Sequence, residues 1–336
     1  METVIAFDFT ATERALAEFR ESTVDSSAPG PPVEFYLSFL EAYTRFWKFL
    51  LAPDDTALKS SFKSSVDSAV KAAELGENTG NPDALLFRSC SYLLLALCEG
   101  EAGNPVASGF WFLKGIQAAN RMADTFPNAD PFLIIGCYDF YRSGGKTEFR
   151  EYLGRTVREG YFFRELASYM EGKLLQRQDT AWDDSAAIFR KVWIKYPANP
   201  LFSFHLAKSY QHLGRYAESI TLYDQSLQTA LLEPAPVELL CITYFSKGQI
   251  MEINLHDPKG AVLSYTQAFE TADRGVKRSV WFIPWSLLHI GYCNERMGNI
   301  EEALSAFSAV SKDDDREAWK RAQEAIGRIR AGQKEP

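Results

Sequence analysis

Long apolar runs are missing from this 336-residue chain: none approaches the roughly 20 residues that a membrane-spanning helix needs. The opening METVIAFDFTATERAL has neither a basic n-region nor a signal-type apolar core. As written, the chain reads as cytoplasmic. A periplasmic or membrane-associated place would follow only if a leader had been removed. Cysteine is sparse. Cys90, Cys98, Cys137, Cys241 and Cys293 are scattered with no CxxC pair, which argues against a disulfide framework and for small buried hydrophobes. The four histidines, His205, His212, His256 and His289, form no HExxH, so no metal or other cofactor is expected. Positive charge is short as well. Thirty-six Lys and Arg face 44 Asp and Glu, a net charge of −8 that repels duplex nucleic acid.

What is present is apolar and aromatic: 46% hydrophobic residues, with 24 Phe, 15 Tyr and 7 Trp. That is ample for a large core. No period-two strand and no tight hairpin signal is found, whereas Phe62, Val66, Ala69, Val70 and Ala73 recur at helical spacing. Breaks at Pro31-Pro32, Pro53-Asp54-Asp55, Asn81-Pro82-Asp83, Asn104-Pro105, Asp130-Pro131, Asn199-Pro200 and Asp257-Pro258 divide the chain into about sixteen helices. Asn or Asp before Pro supplies a capping oxygen, then a residue whose missing N–H costs nothing in the first turn.

The helices come in pairs, and the pairs repeat. In residues 199–227 the first helix offers Leu206, Ala207 and Tyr210, the turn Leu213-Gly214 and Tyr216, and the second helix Ser219, Ile220, Tyr223 and Leu227. Residues 244–269 place Gly248 in the first helix and Ala261, Tyr265 and Ala268 in the second. Residues 285–310 do the same with Gly291, a turn at Gly298, then Ala303 and Phe307. Upstream, Ser185, Phe189, Val192 and Pro197 fit a second helix and its exit. This pattern resembles the tetratricopeptide repeat, in which small residues let paired backbones approach and an aromatic fills the next gap. The match covers 199–310 well and 161–197 in part. The spacing from Ala207 to Gly248 is 41 residues and from Gly248 to Gly291 is 43, against about 34 in the family. Within 129–197, DPFLIIGCYDFY with Gly136, Tyr138 and Tyr141, and the Tyr196-Pro197 exit, look like bacterial tetratricopeptide proteins related to the inclusion-body-clearance family.

The resemblance implies an all-α, right-handed superhelical solenoid of about eight antiparallel helix pairs. It would run as a divergent helical-pair region over 1–145, repeats over 146–311, and a capping helix and tail over 312–336, as one continuous solenoid. The last helix, EAWKRAQEAIGRIR, aligns Trp319, Ala322 and Ile326 on one face, as a cap over an exposed terminal core should.

Motifs for chemistry are weak. Ser143-Gly144-Gly145-Lys146-Thr147 ends like a phosphate loop, but Phe140 occupies the place where a Walker A needs its first glycine. No GxSxG and no papain-like cysteine context occurs. Asp183-Asp184 and Asp313-Asp314-Asp315 precede helices, where they cap N-termini, and they lack EF-hand spacing.

The resemblance also implies a concave groove lined by one face of each first helix. That face selects Leu201, Phe204, Lys208 and Gln211, then Ile242, Phe245, Gln249 and Glu252, then Trp285, Leu288, Tyr292 and Glu295. Seven of the twelve are apolar, the character of a partner-binding patch, unless they pack on a neighbouring helix or on the C-terminal helix. The carboxylate-clamp version of this fold is disfavoured, because Lys208 stands there alone. The sequence therefore points to a non-catalytic protein-interaction scaffold with an unknown protein or peptide partner and no nucleic acid. The alternative is a carrier or sensor of a hydrophobic small molecule between helices, motivated by Phe110, Trp111 and Phe112 in one helix. A third possibility, an α/α-barrel enzyme, predicts clustered carboxylates or histidines on inner helices, which the pattern does not offer.

Overall fold

The computed structural model describes residues 9–24, 33–51, 56–78, 80–81, 83–125, 130–142, 149–160, 163–177, 181–232, 237–275 and 281–332. Among the described residues every regular element is helical. The chain divides into two compact units, 1–178 and 179–336. The pattern change that the sequence placed at 145 falls inside the first unit, and the loop-like Ser143–Thr147 lies outside the described residues.

The first unit contains α1 (Phe9–Val24), α2 (Val33–Leu51), α3 (Thr56–Asn78), α4 (Asp83–Glu101), α5 (Pro105–Thr125), α6 (Pro131–Arg142), α7 (Phe149–Glu159) and α8 (Arg164–Gln176). Each helix packs mainly on its neighbours in the chain. Phenyl rings join α2 to α3 and α4: Phe49 stacks on Phe62 at 5.9 Å and Phe39 meets Phe87 edge-on at 4.9 Å. Phe62, Val66, Ala69 and Ala73 are all buried, so the helical period read from the sequence is the core face of α3. Serine hydroxyls sew α4 to α5. Ser89 Oγ donates to the Gly115 carbonyl at 2.6 Å and Ser108 Oγ to that of Ala96 at 2.8 Å. Such bonds satisfy the hydroxyls where the helices run too close for larger side chains.

The second unit contains α9 (Trp182–Lys195), α10 (Pro200–His212), α11 (Tyr216–Leu232), α12 (Val237–Gln249), α13 (Pro258–Gly275), α14 (Phe282–Met297), α15 (Ile300–Ala309) and α16 (Arg316–Gly332). Between α12 and α13 the helix widens into a π turn, Ile250–Asn254. The expected punctuation is in place. Asn199 caps α10 by accepting from the Leu201 N–H at 2.9 Å, and Pro200 follows it. Gly214 and Gly298 end their helices at φ 74° and 79°, a left-handed conformation that glycine adopts without a Cβ penalty. Asp315 caps α16 by accepting from the Glu317 and Ala318 N–H groups, whereas Asp183 and Asp184 lie inside the first turn of α9, behind Ala181 at the N-cap, where they face the helix dipole without capping.

Close helix approach in this unit rests on glycine against an aromatic ring. A Cβ on Gly291 would lie 2.4 Å from Phe307 Cε1, and one on Gly248 would lie 2.8 Å from Tyr265 Cε1. Neither ring can be reached by a real Cβ at that distance, so α14 and α15, like α12 and α13, pack only with glycine there. The cap forms as expected: Ala322 and Ile326 are buried with Ala318, Ala325 and Ile329 in one cluster with Leu288, Ala303 and Phe307, and Trp319 packs against that cluster. All five cysteines are free, and burial pushes the thiols of Cys137, Cys241 and Cys293 up to about 12.

Candidate partner-binding face

The face picked out on α10, α12 and α14 is split by packing. Phe204, Phe245 and Leu288 are core side chains, with 4%, 6% and 1% of their surface exposed. Phe204 packs on Tyr223 at 5.7 Å. Phe245 is enclosed by Tyr265, Trp281, Phe282 and His289, with ring centroids 5.3 to 6.1 Å away. Leu288 belongs to the cluster that α16 closes. The expectation that these three line an open groove is thereby corrected. Helical spacing identifies the face of a helix, but the following helix decides whether that face meets water.

Of the other nine, Glu252 is buried and eight remain partly exposed: Leu201, Lys208 and Gln211 on α10, Ile242 and Gln249 on α12, Trp285, Tyr292 and Glu295 on α14. Two of these are held from one side. Trp285 Nε1 donates to Asp315 Oδ2 at 3.1 Å, and the Arg321 guanidinium lies 5.3 Å from its ring centroid. Tyr292 meets Phe307 edge-on at 5.2 Å. Gln211 Oε1 accepts from the Tyr223 hydroxyl at 3.0 Å. Lys208 pairs with no carboxylate among the described residues, and burial alone pulls its ammonium below the ordinary lysine range. Glu295 is held by Arg328 of α16, with contacts of 2.7 and 3.0 Å.

Glu252 sits in the π turn with 3% of its surface exposed. Leu255 N–H donates to the Ile250 carbonyl, the i to i+5 bond of that turn, at 3.0 Å. One Glu252 oxygen, Oε2, accepts from Tyr265 Oη at 2.9 Å and lies 2.8 Å from His289 Nδ1; the other is 3.2 Å from an Arg296 nitrogen. Burial raises the pKa of this carboxyl, but His289, the Tyr265 hydroxyl and Arg296 outweigh it and hold the group below the ordinary carboxylate range. The same burial, with Glu252 nearby, pushes the Tyr265 hydroxyl up. The network ties the π turn to α13 and α14.

Residues 285–314, which span α14, α15 and the turn to α16, match the tetratricopeptide-repeat profile. This segment is a tetratricopeptide repeat. No curated protein matches the sequence. Among solved structures, a human IFIT1 dimer with PPP-AAAA is similar with a TM-score of 0.53 and 18% identity, covering 94% of this chain and 69% of that one. A monomeric IFIT1 mutant with Gppp-AAAA gives 0.52 and 18%, over 94% and 67%. The APC/C hetero-tetramer Cut9-Hcn1 gives 0.54 and 12%, over 92% of this chain and 58% of that one. At such identities the likeness concerns the fold, an all-α solenoid of the tetratricopeptide type with a C-terminal capping helix.

Sequence reasoning missed His289, inside the repeat, and Trp281, just ahead of it. His289 stacks on Tyr265 at 5.0 Å and meets Phe245 edge-on at 5.6 Å. The signal was available: 285, 289, 292 and 296 follow the 3.6-residue period as well as 285, 288, 292 and 295 do. Trp281, just ahead of α14, keeps 44% of its surface exposed although its ring packs on Phe282 and Phe245. In the first unit, Trp111 stacks on Tyr92 at 5.6 Å, and Phe112 packs against the core; Phe110 is exposed. Phe110 meets Trp111 edge-on at 5.0 Å, and Trp111 packs against the same core cluster as Phe112.

Proposed function

We propose that the chain is a non-catalytic protein-interaction scaffold and that the 179–336 unit docks a segment of a protein partner. The observation that carries this reading is what remains after the helices have packed. Leu201, Lys208, Gln211, Ile242, Gln249, Trp285 and Tyr292 stay partly open, and Trp281 stays half-exposed beside Phe245. Apolar anchors mixed with polar groups at the edge are the composition of a peptide-binding surface. The solenoid fold supports it too, since stacked helix pairs present extended surfaces for other proteins. A net charge of −8 weighs against polyphosphate, and the sequence carries no nucleophile or ligand motif for chemistry.

The test is a peptide-library selection on the intact chain, repeated with Ile242→Asp and with Trp281→Ala. Truncation of an interface anchor costs about 2 kcal/mol, roughly a thirtyfold loss of affinity. Selected peptides should bind wild type and lose at least tenfold affinity to both variants, with melting temperatures unchanged to within about 2 °C. A library that yields no binder, or binders indifferent to both substitutions, would overturn the reading.

A further inference from the structure

The outer side of α16 carries a feature that neither the core nor the candidate face uses. Arg316, Lys320, Gln323, Gly327 and Arg330 follow one another at intervals of four, three, four and three residues, so they share one stripe of the helix. All five are exposed, and a Cβ on Gly327 would meet nothing within 4 Å. Ala318, Ala322, Ala325, Ile326 and Ile329 form the opposite, buried side. The other two cations of the helix are engaged: Arg321 pairs with Glu317 of the same helix and Arg328 with Glu295 of α14. Arg316, Lys320 and Arg330 have no carboxylate partner among the described residues. The helix dipole favours Arg330 in the last turn but opposes Arg316 in the first, so it does not account for the whole stripe.

We propose that this stripe is a docking line for an acidic segment of a protein partner. Charge complementarity carries the argument. Three cations without an ion-pair partner lie along about 21 Å of helix, beginning beside the exposed Asp313 and Asp314, in a chain whose net charge is −8. Six or seven residues of extended peptide span that length at about 3.3 Å each. The line is narrow, with the exposed Glu317 and Glu324 along one edge. A single acidic strand fits between such limits, whereas an anionic membrane or a long polyphosphate would also meet those carboxylates and the negative field of the rest of the chain. The proposal does not depend on the face of α10, α12 and α14.

The experiment titrates the intact chain with a fluorescent deca-glutamate peptide at about 50 mM and about 200 mM salt. In parallel, phosphatidylserine vesicles and a single-stranded poly-uridine 20-mer are tested at matched charge. Two triple variants are compared with wild type: Arg316→Glu/Lys320→Glu/Arg330→Glu, and the milder Arg316→Gln/Lys320→Gln/Arg330→Gln, which is spared any charge reversal at the helix end. The expected result is saturable peptide binding that weakens with salt, falls at least tenfold in both variants, and is unchanged in Trp281→Ala. The proposal is overturned if the peptide does not bind at low salt, if either correctly folded triple variant binds as wild type does, or if vesicles or RNA bind in preference to the peptide.

Discussion

In the 179–336 unit, α12 meets α13 and α14 meets α15 through a glycine set against an aromatic ring, Gly248 on Tyr265 and Gly291 on Phe307. In the 1–178 unit the α2, α3 and α4 contacts instead run through phenyl rings, Phe49 on Phe62 and Phe39 on Phe87, and α4 meets α5 through Ser89 and Ser108 hydroxyls. The glycine–ring contacts link positions 17 and 16 residues apart, and α6 with α7 shows the same device in the first unit, where Gly136 faces Tyr152 across 16 residues. A fixed interval between a small residue and a ring is what makes a repeat visible. The phenyl contacts close the helices equally well, but at unlike intervals, whereas the serine contact recurs in both units: Ser108 on the Ala96 carbonyl and Ser219 on that of Ala207 are each 12 residues apart.

The largest expected effect is on the rings. Phe245→Ala should cost about 3–5 kcal/mol, and Phe62→Ala in the other unit a similar amount. Chemical denaturation of both variants checks this. A loss below about 1 kcal/mol for Phe245→Ala would return that residue to the open surface where the sequence placed it.

Next come the glycines. Gly291→Leu and Gly136→Leu should each lose about 3 kcal/mol, the upper end for overpacking, because the added carbons meet rings already in contact with the backbone. Melting temperatures near wild type for both would show that the helices separate freely and that the glycine–ring register is wrong. A loss in one alone would show that the two units differ in how far they yield.

Glu252→Gln should cost about 1–3 kcal/mol, since a buried charge-assisted network loses its anion. The pH dependence has a defined sign. The folded carboxyl is held below its ordinary 4.5, so its contribution is complete above that value and is lost as pH falls through the folded value. Wild-type and Glu252→Gln stabilities should therefore converge as pH drops below about 4.5, which denaturation curves between pH 3 and 7 would reveal. The smallest effect belongs to Gly327→Ala. With open space around it in a helical position, it should gain about 0.4–1 kcal/mol.

Much of the fold could be read from the residues. Asn199-Pro200, Gly214 and Gly298 mark helix ends because capping oxygens and left-handed glycines are local requirements, satisfied within a few residues of chain. Gly248, Gly291, Tyr265 and Phe307 were legible because their pairing recurs. Gly136 is legible as a motif residue, but its ring partner, Tyr152, is not, since it lies on the next helix. The candidate face was only half legible. Phe204 and Lys208 are four residues apart on one side of α10, yet one is in the core and the other is partly open. Hydrophobic period alone does not distinguish an aromatic that binds a partner from one that seals two helices. Glu252 was selected as a groove residue, but its burial depends on a π turn and on Tyr265, His289 and Arg296, which local sequence does not bring together.

The central claim, that a protein segment docks on the residual open face of the 179–336 unit, is tested most directly by hydrogen exchange on the intact chain with a library-selected peptide bound. The account predicts new protection on α10, α12 and the start of α14, around Leu201, Lys208, Ile242, Gln249 and Trp281, which is lost in Trp281→Ala. Protection confined to the 1–178 unit, or no protection at saturating peptide, would contradict it.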